Sequence, residues 1–260
     1  MSYRLIAFER EGNVALIRLS DPGTLNAVSL AMAQELADAF ERAGREARAA
    51  ILTGAGRGFC SGANLAADLD PTSSGYDAGS YLHTHYGPMM LGIRNLRVPL
   101  VTAVNGVAAG IGCSLALAGD LIVAGESGYF LQAFQRVGLV PDGGSAYLLA
   151  RSIGRARALE MMLLGERVAA ARALEWGMIN RVVPDPQLGA SALALATRLA
   201  EGPTVALAKI RELAWRATET TFAEQLDLER DLQREAGRTA DHREGVAAFR
   251  AKRTPRFTGT

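Results

Sequence analysis

The sequence predicts an α/β fold with parallel strand pairing. Three observations carry this. Strand-like and helix-like segments alternate through the first half of the chain. The length, 260 residues, suits one large domain or one domain with an appendage. The uncharged run from Val98 to Gly119 is interrupted by Pro99, Thr102, Asn105 and Ser114. It reads better as a buried strand, a Gly-rich turn and a buried helix than as a membrane span.

The elements follow in order. Leu5–Glu9 and Val14–Leu19 read as two strands joined by Arg10-Glu11-Gly12-Asn13, a hairpin signal. Leu30, Ala33, Leu36, Ala37 and Phe40 recur at helical spacing. Ala49–Thr53 is a short apolar strand that ends in Gly54-Ala55-Gly56-Arg57-Gly58. Leu100–Val104 and Leu121–Ala124 are further strands, with a helix over Gly110–Ala118 between them. The segment Asp70–Pro88 has no clear period and reads as an irregular binding loop or a surface loop. The second half has few strand signals. Arg155–Leu164, Ala169–Trp176, Leu188–Ala200, Val205–Arg216, Phe222–Ala236 and Arg243–Lys252 read as helices, punctuated by Pro184, Pro186 and Gly202-Pro203. The expected organisation is a core over residues 1–200 and an appended helical unit over 201–260.

Composition excludes several classes. Hydrophobic residues are 49% and charged residues 21%, which fits a globular chain rather than a disordered one. A net charge of +1 leaves no electrostatic footprint for nucleic acid or an anionic membrane. Cys60 and Cys113 are too few for a disulfide scaffold, so a reduced cytoplasmic setting is expected. The N-terminus lacks a signal-peptide pattern. No zinc-ligand spacing can be written, and no metal site is expected.

Three segments carry possible chemistry. Gly54–Gly58 after a strand suggests a dinucleotide fingerprint, but Phe59 stands where its last glycine belongs. Gly112-Cys113-Ser114-Leu115-Ala116 approaches a nucleophile elbow, with Asp142 and His242 following in triad order. Ser114 as a small packing residue is the simpler reading. The third signal combines Phe59–Leu65 and Asn105–Gly112, two glycine-lined turns that each follow a strand. Such turns can each offer one backbone N–H to a single oxygen, as an oxyanion hole does. Gly138–Gly144 then sets Asp142 in a tight turn with apolar flanks. A carboxylate in an apolar site has a raised pKa and can carry a proton back and forth. The alternative for Asp142 is an Asx-turn or a cap for a helix starting near Ser145.

On these residues the chain resembles the crotonase (enoyl-CoA hydratase/isomerase) superfamily. The resemblance runs from Leu25-Asn26-Ala27 to Phe249-Arg250-Ala251-Lys252-Arg253. It implies a spiral of β-β-α turns with a C-terminal helical trimerisation region, and a homotrimer or dimer of trimers. It implies an acyl-CoA thioester as substrate, with no cofactor beyond the coenzyme A the substrate carries, no metal, no nucleic acid and no membrane partner. The amides of Ala63 and Ile111, the latter following Gly110, are implied to hold the thioester oxygen. Ala63, Asn64, Leu65 and Ala66 would border coenzyme A, and Leu25 its adenine end. Phe249 and Lys252 would reach the coenzyme A of a neighbouring subunit.

Two departures bear on the reaction. Ser114 and Phe134 stand where hydratases of the superfamily place two glutamates. Asp142 falls where its isomerases place an acid/base aspartate. The strings Gly138–Gly144, Gln225–Leu232 and Lys252–Gly259 most resemble the 1,2-epoxyphenylacetyl-CoA isomerase subgroup, which also shifts double bonds in enoyl-CoAs, with phenylacetate catabolism as the implied setting. An enoyl-CoA hydratase and a non-catalytic acyl-CoA-binding protein are the alternatives. Dehalogenases of the superfamily share the aspartate, but their tryptophan is Phe134 here. His83 and His85 are candidates for the acyl pocket without an assigned role.

Overall fold

The computed structural model describes residues 3–64, 72 and 74–260. The hairpin forms as expected: β1 (Ile6–Glu11) pairs antiparallel with β2 (Val14–Leu19). From β2 onward the pairing is parallel, through β3 (Ala49–Gly54), β4 (Leu100–Val104), β6 (Leu121–Gly125) and β9 (Arg181–Val183). Successive strand residues face opposite sides. Ala50 and Leu52 of β3 join one core, while Ala49 and Ile51 join another. Both faces are covered, so the strands are apolar almost throughout.

Helix α1 (Leu30–Glu46) covers the first face with Met32, Leu36, Phe40 and Ala43. It starts where the Ser29 side chain accepts the Met32 N–H. The second face is covered by α7 (Leu188–Ala200), which buries Leu188, Ala192, Leu195 and Ala196.

A smaller sheet runs β5 (Val107–Ala109), β7 (Tyr129–Leu131) and β8 (Val168–Ala169). After β4 the chain enters β5 through Gly106 and then helix α3 (Ile111–Leu117). Gly106 has φ +149°, and a Cβ there would lie 2.2 Å from the Arg57 carbonyl oxygen. The uncharged run 98–119 is thus two strands and a buried helix. No helix of the described residues is long and apolar enough to cross a membrane.

Two expectations need correction. The segment read as an irregular loop is helical from Ala78 on: α2 (78–94) has a first turn Ala78–Tyr81, a π-helical turn Leu82–Tyr86 and an α-helical run Gly87–Arg94. Its buried stripe, Tyr86, Met89 and Ile93, begins only near the end of the segment, so the period was hidden. The strands β5, β7, β8 and β9 were not anticipated. Each has three residues or fewer, too few to display a period of two.

The remaining helices are α4 (Ser145–Ser152), α5 (Gly154–Leu164), α6 (Ala170–Glu175), α8 (Thr204–Arg216), α9 (Phe222–Ala236) and α10 (Ala240–Arg250). The last one begins and ends slightly before the expected Arg243–Lys252. Between Thr204 and Arg250 the chain is mostly helical, with Phe222, Leu226 and Phe249 exposed. One buried ion pair ties α8 to the core. The Arg211 guanidinium bonds to the Asp120 carboxylate and to the carbonyls of Leu96 and Ile93. Asp120 also accepts the Leu100 N–H at 2.7 Å. Burial pushes the Asp120 pKa up, although Arg211 pulls the other way. Removing one member leaves the other charge buried alone. Arg211→Ala should lower stability by about 3–5 kcal/mol, read by denaturant unfolding at fixed protein concentration.

Candidate active site

The first amide comes from the segment after β3. Val28 N–H donates to Gly62 O at 2.8 Å, and Asn64 N–H donates to Val28 O at 3.0 Å. This parallel bridge uses the groups on either side of Ala63, so the Ala63 N–H points the other way. The second amide is that of Ile111, the first residue of α3, where an N–H has no partner within the helix. Gly110 before it has φ +53°, a left-handed turn that redirects the chain from β5 into the helix.

These two segments are held together by a parallel bridge, with Cys60 N–H donating to Val107 O at 2.8 Å and Ala109 N–H donating to Cys60 O at 2.9 Å, and α3 lies directly on the same backbone. A Cβ at Gly112 would lie 2.5 Å from Cys60 O and 2.6 Å from Cys60 Sγ. Only a residue without a side chain lets α3 lie on that backbone. The Asp142 turn docks on the same helix. Gly143 and Gly144 both have positive φ, +58° and +78°. A Cβ at Gly143 would lie 2.2 Å from Ile111 Cδ1 and 2.9 Å from Ser114 Cβ.

Ala63, Ile111 and Asp142 line one cavity of about 310 Å³. Phe134, Val137 and Leu139 give it an apolar wall, and Tyr76, Tyr81 and Tyr86 approach from the segment before and within α2. The tyrosines were not anticipated; their only signal was their place in a candidate binding loop. The Tyr86 hydroxyl donates to Val28 O at 3.0 Å, beside the Ala63 bridge. A second cavity of about 350 Å³ shares Leu82 and Tyr86 with the first. It runs past Gly143 and Gly144 to Tyr147 and Trp215.

Asp142 Oδ1 is buried without a hydrogen-bond partner among the described residues. Burial alone pushes its pKa from 3.8 up to about 6. The carboxylate does not cap the following helix: Gly144 is the cap, and Ser145 N–H donates to the Asp142 main-chain oxygen at 3.0 Å. The side chain is left free to face the cavity.

Other candidates fall elsewhere. Ser114 is fully buried, and its hydroxyl donates to the Asp142 carbonyl at 3.0 Å. No histidine lines the cavity among the described residues. His242 lies in α10, and a serine triad does not assemble there. Burial pushes both Cys60 and Cys113 up to about 12, which keeps them as thiols. His85 contacts Gln34 Nε2 at 3.1 Å and Thr84 Oγ1 at 2.7 Å, and His83 is exposed, so neither histidine lines the cavity. Leu25 packs on the smaller sheet beside Val107, away from Asp142. Asn64 borders Ala63, while Leu65 and Ala66 lie outside the described residues. Phe249 and Lys252 are exposed at the end of α10 and its exit, and they do not line this cavity. Gly54–Gly58 holds no nucleotide-type turn. Instead the Asn26 and Asn105 side-chain amides donate to its carbonyls.

A sequence profile described as enoyl-CoA hydratase/isomerase matches residues 9–260. The chain belongs to the enoyl-CoA hydratase/isomerase family. Among relatives, the 1,2-epoxyphenylacetyl-CoA isomerase of Escherichia coli K12 is 46% identical over 252 residues, 96% of each chain. A Rhodobacter capsulatus protein named "Probable enoyl-CoA hydratase" is 42% identical over 259 residues, the full length of both. The crystal structure of an enoyl-CoA hydratase from Bacillus anthracis superimposes with TM-score 0.92 at 29% identity, covering 99% of this chain and 100% of that one. The crotonase-like fold of the family is therefore the fold of this chain.

The raised Asp142 pKa has a stability consequence. The folded value, about 6, lies above the unfolded value of 3.8. Between these the folded state holds the extra proton, so stability falls as pH rises through that window. An asparagine cannot ionise. Asp142→Asn should therefore be more stable than the parent by about 1–3 kcal/mol at pH 7–8, with the difference vanishing below about pH 4. Thermal melts across pH measure this.

Proposed function

We propose that this chain isomerises acyl-CoA thioesters, moving a double bond by a proton shuttle on Asp142. The observation that carries it is a carboxylate that has, among the described residues, no hydrogen-bond partner at Oδ1, with pKa near 6, in one apolar cavity with the Ala63 and Ile111 amides. The two N–H groups take the thioester oxygen and stabilise the enolate as negative charge develops. With a 3-enoyl thioester, ionised Asp142 removes a proton from C2. The electron pair spreads to C4 and the oxygen. Asp142 then returns the proton to C4, leaving the 2-enoyl product. One proton leaves and one returns, so one acid/base group suffices. A pKa near 6 keeps the base ionised at neutral pH while its conjugate acid still gives up the proton readily.

Hydration needs a further group to activate water. Ser114 has its hydroxyl engaged by a carbonyl, and Phe134 has no proton to give, so isomerisation is the favoured reading over hydration. A ring epoxide on an aromatic acyl group is a second substrate type suited to the same hole. The acyl group extends from the first cavity past Gly143 toward Tyr147 and Trp215. Coenzyme A lies along Ala63–Ala66, with Leu25 toward its adenine end. The active species is a homotrimer or dimer of trimers, and residues 201–260 form its trimerisation region. The exposed Phe222, Leu226 and Phe249 support this, because they leave an apolar face on α9 and α10 that a neighbour would cover. Phe249 and Lys252 would then meet a neighbour's coenzyme A.

The test is incubation with a 3-enoyl-CoA in D₂O, followed by absorbance and product mass. The expected product is a conjugated 2-enoyl-CoA without added water. A 3-hydroxyacyl-CoA product would overturn the reading in favour of hydration. Asp142→Asn should lower isomerisation by about 10²–10⁴-fold and leave thioester binding intact. The kcat/KM of the parent should fall on the acid side with a midpoint near the Asp142 value of about 6.

A further inference from the structure

We infer that Ser114 is a positioning residue for Asp142, latching the acid/base turn to the helix that carries the Ile111 amide. The inference rests on the proposed role of Asp142. Three donors converge on the Asp142 main-chain oxygen: Ser114 Oγ at 3.0 Å, Ser145 Oγ at 2.9 Å and Ser145 N at 3.0 Å. The two from Ser145 are local to the turn. Only the Ser114 bond crosses to another element, twenty-eight residues back along the chain.

The hydroxyl has one proton and, among the described residues, one other acceptor in reach, Gly110 O at 3.5 Å. That carbonyl already accepts the Cys113 and Ser114 N–H groups at 2.9 and 3.2 Å. The shorter bond to Asp142 is the one the proton makes. Ser114 is fully buried, so water cannot replace it.

Packing alone does not hold the turn. Gly143 sits against Ile111 and Ser114 with no side chain of its own, and the turn residues 138, 143 and 144 are all left-handed glycines with wide backbone freedom. The Ser114 bond is the directional element. Fixing the Asp142 carbonyl fixes its Cα, and the carboxylate is then aimed into the cavity from a known point. The distance between proton carrier and oxyanion hole is set through one helix. Small displacements of a reacting group are costly to rate.

The test is Ser114→Ala, a smaller side chain that leaves the helix intact. The variant should lose on the order of tenfold in kcat on a 3-enoyl-CoA, with KM near that of the parent. Its acid limb should move from near 6 toward the ordinary carboxylate range, because a loosened turn lets water reach Asp142. A lowered melting temperature with unchanged kcat and acid limb would overturn the inference and leave Ser114 as packing only. Asp142→Asn, run in parallel, separates the two claims. If Asp142→Asn is inactive while Ser114→Ala behaves like the parent, the positioning role fails and the shuttle stands. If Asp142→Asn still isomerises, both fall.

Discussion

Helix α3 lies close enough to two other backbones that glycine is required on each side of the contact. Gly112 admits the Cys60 peptide, and Gly143 admits the Ile111 and Ser114 side chains. These two approaches bring together a strand exit, a helix start and a tight turn that are far apart in sequence. A methyl group at either position would lie within 3.0 Å of atoms already there, so the packing would have to shift. The parallel sheet, the covering helices and the smaller sheet hold α3 in place.

The centre that results is poor in polar groups. Among the described residues Asp142 Oδ1 has no partner, and the cavity walls are mainly aromatic and aliphatic. A buried carboxylate without compensation is a cost to folding. Asp120, also largely buried, has Arg211 and the Leu100 amide as partners. The two aspartates differ in surroundings rather than in chemistry. One is satisfied and joins elements together; the other is left short of hydrogen bonds and keeps a proton within reach.

Much of this centre was legible in the sequence, for a physical reason. Gly106, Gly110, Gly112, Gly143 and Gly144 stand where the backbone is left-handed or touches another backbone, and such positions leave a mark in single residues. The strands β2, β3 and β4 were legible because two covered faces demand continuous apolar residues. The short strands β5 and β7 were not, since their place depends on partners distant in sequence. Helix α2 was obscured by a polar, glycine-containing start, and the tyrosines it brings to the cavity went unread with it. The Asp142 carbonyl bond to Ser114 was also beyond reach. Serine in a buried helix gives no sign of which acceptor it will find.

The way the Asp142 peptide is held bears on stereochemistry. Its carbonyl is anchored by Ser114 from α3 and by Ser145 from the following helix, which limits how far the carboxylate can travel. It approaches a bound chain from one side of the cavity, while Phe134 and Leu139 form an apolar wall. Under the proton shuttle, removal and return would therefore occur on the same face of the planar dienolate. The proton transfer would be suprafacial, and the label delivered to the product would carry a single handedness at the receiving carbon.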